Sequence, residues 1–272
     1  MAVLLSIIIP AYNEQVRMER TLDDVLAFIA RQPFESEVLV VDDGSTDDTG
    51  KLVSSRIEGY RQAGFQLHLL TNSPNRGKGY SVKRGFNSAR GEIVLFTDTD
   101  LSSPITETTK LIDPIASNNA DVAFGSRAID RKLIGVRQSV IRDFGGRVFN
   151  LLMQAITGLR YKDTQCGFKA FRRVPSIPVF QLNRIERFGF DPELLFIAKK
   201  VGLRLVEVPV IWNHCEGSKI SYFSDSIMMF TDLLRIRLCD FAGRYDAKRA
   251  AAALAEAKQA EDQRVEATTG RS

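Results

Sequence analysis

Short apolar runs that each stop abruptly at a polar cluster constrain this chain more than anything else in it. Leu4 to Ile9 ends at Pro10-Ala11-Tyr12-Asn13-Glu14, and Val38 to Val41 ends at Asp42-Asp43-Gly44-Ser45. Phe65 to Leu70 precedes Asn75-Arg76-Gly77-Lys78-Gly79, Ile93 to Phe96 runs into Thr97-Asp98-Thr99-Asp100, and Val122 to Phe124 leads to Ser126-Arg127. Runs this short and this rich in Val, Ile and Leu read as strands buried on both faces. Helical patterns stand between them: Leu22, Val25, Leu26 and Ile29 share one face, Thr46-Asp47-Asp48-Thr49 opens a second helix, and a third reaches about Ala89. Strand, polar loop and helix in repetition predict an α/β fold, a mostly parallel sheet with helices on both faces. Ligands of such sheets bind outside the carboxyl ends of the strands, which is where every polar cluster falls.

At 272 residues and 44% hydrophobic, the chain can bury one substantial core. After Ser126-Arg127 the rhythm changes, so we expect a single domain over 1–245 with a break in character between 1–127 and 128–245. From 246 to 272 the composition turns to Ala, Glu, Lys and Gln with almost no large apolar residue, which predicts a frayed helical or disordered tail. The formal charge of +4 suits anionic partners without selecting one, and no basic stripe with interleaved aromatics marks a nucleic-acid binder. Cys166, Cys215 and Cys239 are odd in number and far apart, as in a reducing compartment. With no basic n-region or cleavage site at the start, no signal peptide is expected, and no apolar run reaches the roughly 18 to 20 residues that span a bilayer.

Several of the polar clusters are chemically pointed. Asp98 and Asp100, one residue apart after a buried strand, are hard oxygen ligands of the kind Mg²⁺ and Mn²⁺ share with phosphates, although an isolated Asp-x-Asp is commonly just a solvated turn. Asp42 and Asp43 suit either the cap of the following helix or a base or ribose contact. Glu14 is also ordinary first-turn complementation of a helix dipole. Gly77-Lys78-Gly79 resembles a phosphate loop, but Tyr80 and Val82 stand where the P-loop and dinucleotide patterns need Ser or Thr and Gly. His214 and Cys215 lack further soft ligands at metal spacing. Two helical stretches carry apolar stripes flanked by Arg: Ile141, Phe144, Val148, Leu151 and Leu152 with Arg137, Arg142 and Arg147, then Phe223, Ile227, Phe230, Leu234 and Leu238 with Arg235 and Arg237. Such helices pack into a core or lie in a lipid headgroup region, and both alternatives stay open. Leu205 to Val210 reads as a strand whose Pro209 places it at an edge.

In this order and context, Pro10-Ala11-Tyr12-Asn13-Glu14, Asp42-Asp43-Gly44-Ser45, Arg76-Gly77-Lys78-Gly79 and Asp98-x-Asp100 make the chain resemble family 2 inverting glycosyltransferases of the GT-A fold. Asp163-Thr164-Gln165-Cys166-Gly167-Phe168-Lys169, Phe190-Asp191-Pro192-Glu193 and Glu216-Gly217-Ser218-Lys219 are similar to segments of dolichyl-phosphate β-glucosyltransferases. Related mannose synthases usually carry Arg shortly before the last of these, where this chain has Asn213, His214 and Cys215. The resemblance implies a nucleotide-sugar-binding half over 1–127 and an acceptor half with interfacial helices over 128–245. It implies that Pro10, Tyr12, Glu14, Asp42, Asp43, Lys78 and Asp98 hold the donor, with Mg²⁺ or Mn²⁺ on Asp98 and Asp100. Arg127, Arg142, Ser218 and Lys219 would grip the acceptor phosphate, with Asp163 and Asp191 nearby as catalytic candidates. The expected reaction moves glucose from UDP-glucose to a polyprenyl phosphate with inversion. The alternatives are another donor such as GDP-mannose, a glycan hydroxyl acceptor, or a non-catalytic nucleotide-sugar-binding protein. Eukaryotic relatives bear a membrane anchor that this sequence does not display, so the expected location is cytoplasmic and peripheral on a membrane.

Overall fold

The computed structural model describes residues 4–136, 140–215, 222–246, 248–256 and 259. Inside its sheet lies β1 (Leu5–Ala11), a strand with no exposed residue. Parallel neighbours flank it: β2 (Ser36–Asp42) on one side, then β3 (Gln66–Thr71), and β4 (Ile93–Thr97) on the other. The helices α1 (Gln15–Ile29), α2 (Thr49–Gln62) and α3 (Lys78–Ser88) make the crossovers between them. Beyond β4 the chain forms α4 (Thr108–Ala116), β5 (Val122–Ser126), α5 (Val140–Thr157) and β6 (Phe168–Arg172). It continues through α6 (Arg173–Leu182), α7 (Phe190–Lys200), β7 (Leu205–Pro209) and α8 (Tyr222–Phe241). The strands are ordered β3-β2-β1-β4-β6-β5-β7, with β6 antiparallel to both its neighbours and every other pair parallel.

Alternation along the strands feeds two apolar layers. Ile7, Ile9, Val38, Val40 and Leu95 meet α1 (Met18, Leu22, Val25), α2 (Val53, Tyr60) and α4 (Leu111, Ile115). Ile8, Leu39, Val41, Val94 and Phe96 face α3 (Val82, Phe86), α6 (Phe180), α7 (Leu194, Ile197) and α8 (Leu233, Ile236). Fully burying a side chain of this size contributes about 1.5 to 3 kcal/mol. A sheet covered on both faces explains why β1, β2 and β4 are continuous apolar runs.

The sequence pattern did not foretell β6. Its Phe168-Lys169-Ala170-Phe171 pairs in reverse with β4, Thr97 opposite Phe168 and Phe96 opposite Lys169. The reversal brings the start of β6 to the rim formed by the carboxyl ends of the other strands. Pro209 does lie on an edge strand, β7. On α8, Leu233, Ile236 and Cys239 face inward, while Phe230, Leu234, Leu238 and Phe241 remain exposed, Leu238 at 68% and Phe241 at 78%. From Phe230 onward the periodic stripe seen in the sequence is therefore the solvent side of that helix, and the side chains of Phe223 and Ile227 lie outside the described residues.

Candidate active site

The rim loops are tied to one another in order across the sheet. After β1, Asn13 adopts a left-handed φ of 53°, a conformation Asn tolerates, and its side-chain oxygen accepts from the Thr46 N–H at 2.8 Å. Its own N–H donates to Ser45 Oγ at 2.8 Å, and the Glu14 N–H donates to Thr49 Oγ1 at 2.8 Å. Tyr12 is 40% exposed beside them, and Glu14 pairs with Arg17 at 3.3 Å. Pro10 lies inside β1, its ring buried and its carbonyl accepting from Thr99 Oγ1 at 2.9 Å.

The two acids at the end of β2, Asp42 within it and Asp43 just after, are both buried, and each holds a turn. Asp42 accepts from the Ser45 N–H at 3.0 Å. Asp43 accepts from the N–H groups of Arg76 (3.0 Å) and Gly77 (2.6 Å) and from the Asn72 amide (2.7 Å). Asp43 thus fixes the glycine turn that presents Lys78. Gly77 itself has φ 109°, open to glycine and costly for any side chain.

Lys78 reaches across to Asp98 and forms an ion pair with its Oδ1. Burial pushes the Lys78 ammonium down, but Asp98 and Asp191 outweigh that and hold its pKa above the ordinary lysine value. Asp98 is covered from the other side by Gly167, where a Cβ would collide with the carboxylate. Asp100 accepts from the Ser102 N–H at 2.9 Å, and Leu101 between them is left-handed at φ 45°. A non-glycine residue in that region costs free energy and is a recurrent mark of functional turns. Among the described residues no group of three or more His, Cys, Asp or Glu could cage a metal. Two neighbouring carboxylates without such a cage fit a hard divalent cation that completes its shell with phosphate oxygens and water.

On the far side of β4, Arg127 forks onto Asp163, with Nε at 2.6 Å from Oδ2 and Nη2 at 2.9 Å from Oδ1. Burial raises the Asp163 pKa, but Arg127 more than offsets it and keeps the carboxyl below its usual range. Asp163 in turn is placed by Glu207 of β7, which accepts its N–H at 2.7 Å. The Arg127 guanidinium also lies 5.5 Å from the centre of the Trp212 ring.

Asp191 sits in the first turn of α7 and is paired with Lys169 of β6, Nζ to Oδ1 2.5 Å. Lys169 is fully buried and donates as well to the Cys166 carbonyl at 2.6 Å. Burial raises the Asp191 pKa against the pull of Lys169 and Lys78. Sequence reasoning missed Lys169. Its one trace was a lysine inside an otherwise apolar Phe-Lys-Ala-Phe run.

The structure thus brings Tyr12, Glu14, Asp42, Asp43, Lys78, Asp98, Asp100, Arg127, Asp163 and Asp191 to one rim, with Pro10 one layer beneath. Ser218 and Lys219 lie outside the described residues, as does the side chain of Arg142. Cys215 reaches the Asp100 carbonyl at 3.5 Å through its Sγ and so lies beside the Asp98–Asp100 turn.

Three comparisons bear on this rim. The family model described as "Glycosyl transferase family 2" matches residues 6–180. The dolichyl-phosphate β-glucosyltransferase of Dictyostelium discoideum is 38% identical over 245 residues, covering 86% of this chain and 74% of its own. Those of Saccharomyces cerevisiae and Homo sapiens are 35% and 34% identical, each covering 89% of this chain and 77% of their own. Among solved structures, glucosyl-3-phosphoglycerate synthase from Mycobacterium tuberculosis, in complex with Mn²⁺, UDP and glucosyl-3-phosphoglycerate, superposes with a TM-score of 0.60. That match is 18% identical and covers 86% of this chain and 80% of the other, a likeness of fold that agrees with the GT-A architecture. Because the family match runs from β1 into α6, through every rim loop from Tyr12 to Gly167, the chain belongs to glycosyl transferase family 2.

Proposed function

We propose that this enzyme transfers glucose from UDP-glucose to a polyprenyl phosphate of the dolichyl type, inverting the anomeric carbon. Its relatives at 34 to 38% identity bear the name dolichyl-phosphate β-glucosyltransferase. The observation that carries the acceptor class is the pairing of Asp191 with buried Lys169. A carboxylate already held by a lysine suits an acceptor that arrives ionised, and a phosphate monoester at neutral pH needs no proton removed.

In this scheme an oxygen of the acceptor phosphate attacks the anomeric carbon. The bond from that carbon to the diphosphate breaks, and UDP leaves with the electron pair. The obstacle is electrostatic, because one anion must approach another. Lys78 turns from Asp98 to the diphosphate, and Arg127 with Lys219 and Arg142 receives the acceptor phosphate, Arg through its planar fork. Asp98 and Asp100 would hold Mg²⁺ or Mn²⁺, which when bound neutralises charge on the leaving diphosphate. Residues 1–127 serve the donor and 128–245 the acceptor, with Tyr12, Glu14 and the Asp42–Asp43 pair forming or bracing the nucleoside pocket.

The acceptor is a membrane lipid, and α5 and α8 offer it a surface. Among the described residues no helix is long and apolar enough to cross a membrane. Val148, Leu151 and Leu152 of α5 and Leu234, Leu238 and Phe241 of α8 are instead exposed, which suits peripheral contact in the headgroup region.

A second scheme uses a glycan hydroxyl, with Asp191 as its general base; the raised pKa of that carboxyl favours it. One assay separates the two. Radiolabelled UDP-glucose or GDP-mannose is offered with polyprenyl phosphate and Mn²⁺ or Mg²⁺, and label in the organic phase is counted. Label from UDP-glucose alone is the expected result. Label from GDP-mannose alone overturns the sugar, and no lipid label from either overturns the acceptor.

A further inference from the structure

The segment from Asn183 to Arg187, between α6 and α7, presses on the turn that presents Lys78. A Cβ on Gly77 would lie 2.5 Å from the Glu186 carbonyl oxygen, and one on Gly79 2.7 Å from that of Ile185. Both distances are below any real Cβ contact, so this approach is open only to glycine at the two positions flanking Lys78. The Tyr80 N–H donates to the Glu186 carbonyl at 3.0 Å, and Arg76 meets the Glu186 carboxylate at 2.5 Å while lying 3.9 Å from the centre of the Tyr80 ring. The segment is a strap across the turn.

One buried carboxylate anchors that strap. Glu193, on α7 and with no exposure, accepts from the N–H groups of Arg184 (3.1 Å) and Ile185 (2.8 Å) and from the Asn183 amide. Its fourth donor comes from beyond α8: the Tyr245 hydroxyl, fully buried and 52 positions away, at 2.5 Å from Oε1. None of these contacts is needed to form α7, whose hydrogen bonds run along its own backbone.

We infer that Glu193 is a positioning residue for the donor diphosphate: it holds the 183–187 strap against the Gly77–Gly79 turn, and Tyr245 makes that hold depend on the C-terminal segment. The inference rests on the proposed contact between Lys78 and the diphosphate. The strap itself is visible without it.

The test uses Tyr245→Phe, which removes one hydroxyl from a site that keeps its shape, and Glu193→Gln as a second variant. Amide exchange at Tyr80 reports the strap, calorimetric binding of UDP with Mn²⁺ reports the donor site, and the KM for polyprenyl phosphate reports the acceptor site. Loss of a hydrogen bond to a buried carboxylate should weaken UDP binding about tenfold and speed exchange at Tyr80, with the acceptor KM unchanged. Wild-type exchange at Tyr80 in both variants overturns the inference. So does wild-type UDP affinity, or an equal loss at donor and acceptor, which would mark general damage. If the wild-type protein binds no UDP, the donor assignment falls, and exchange at Tyr80 still decides whether Glu193 holds the strap.

Discussion

Lys169 Nζ lies 2.5 Å from Asp191 Oδ1, and both side chains are withdrawn from solvent. Breaking such a pair leaves a lone charge in the interior, which typically costs about 3 to 5 kcal/mol. Lys169→Met should therefore be strongly destabilised in urea titrations. The double variant Lys169→Met/Asp191→Leu should regain most of the loss, because neither charge remains. A single variant as stable as wild type would remove Lys169 from the framework of the site.

Gly167 lets the Asp98 carboxylate lie directly against the backbone that enters β6. Gly167→Ala should displace Asp98 and abolish metal-dependent transfer, as Asp98→Asn and Asp100→Asn should. Mn²⁺ titration in the presence of UDP, followed by electron paramagnetic resonance, would show the loss directly. Unchanged transfer in both Asn variants would remove the metal from this turn.

The fork between Arg127 and Asp163 sets an acid limit. The folded pKa of Asp163 is depressed, so the pair stabilises the protein fully above the unfolded value, about 3.9. That contribution is lost as pH falls through the lower folded value. Asp163→Asn should lower the thermal midpoint at pH 7, and the gap from wild type should narrow only below about pH 4. A gap that closes by pH 6 would contradict the pairing.

Cys166 and Cys215 should separate cleanly in alkylation. Burial first, then the charge of Asp163, pushes the Cys166 thiol up to about 11, and its side chain is buried. Cys215 is partly exposed. Iodoacetamide at pH 8 should label Cys215 and spare Cys166, read by peptide mass spectrometry. Labelling of Cys166 in the folded protein would mean that this part of the rim opens.

The exposed α8 stripe makes a membrane prediction. Leu234→Glu/Leu238→Glu should leave stability nearly unchanged, since both side chains already face solvent. It should reduce co-sedimentation with phospholipid vesicles and lower transfer to lipid-embedded acceptor, while sparing a short water-soluble polyprenyl phosphate. Equal loss on both acceptors would point to a role other than membrane contact.

The strands that lead to Tyr12, Asp43 and Asp98 were legible because burial on both faces leaves an apolar run with a sharp polar stop. The strand through Lys169 was not, because neither its direction nor the partner of a buried lysine leaves a trace in periodicity. Glu193 likewise reads as an ordinary acid in a helix's first turn. Its four donors come from segments eight to fifty-two positions away, and only the folded chain brings them together. The stripe of Phe230, Leu234 and Leu238 shows the converse, since periodicity located the helix without saying which side faces inward. Asp43 stands out in the sequence as one of two acids ending a buried run, but its bonds to the Arg76 and Gly77 N–H groups appear only where two loops meet.

The reversed strand β6 has a consequence for how the molecule can be taken apart. It comes from the part of the chain after residue 127 and lies between β4 and β5, both from the part before, so the halves proposed to serve donor and acceptor share one hydrogen-bonded ladder. A cut after residue 127 would strip β4 and β5 of their shared neighbour and expose an edge that is apolar from Ile93 to Phe96, a template for aggregation. Donor and acceptor modules could not be exchanged between relatives at that boundary as separate pieces. Chimeras would have to swap the loops on the rim and leave the ladder whole.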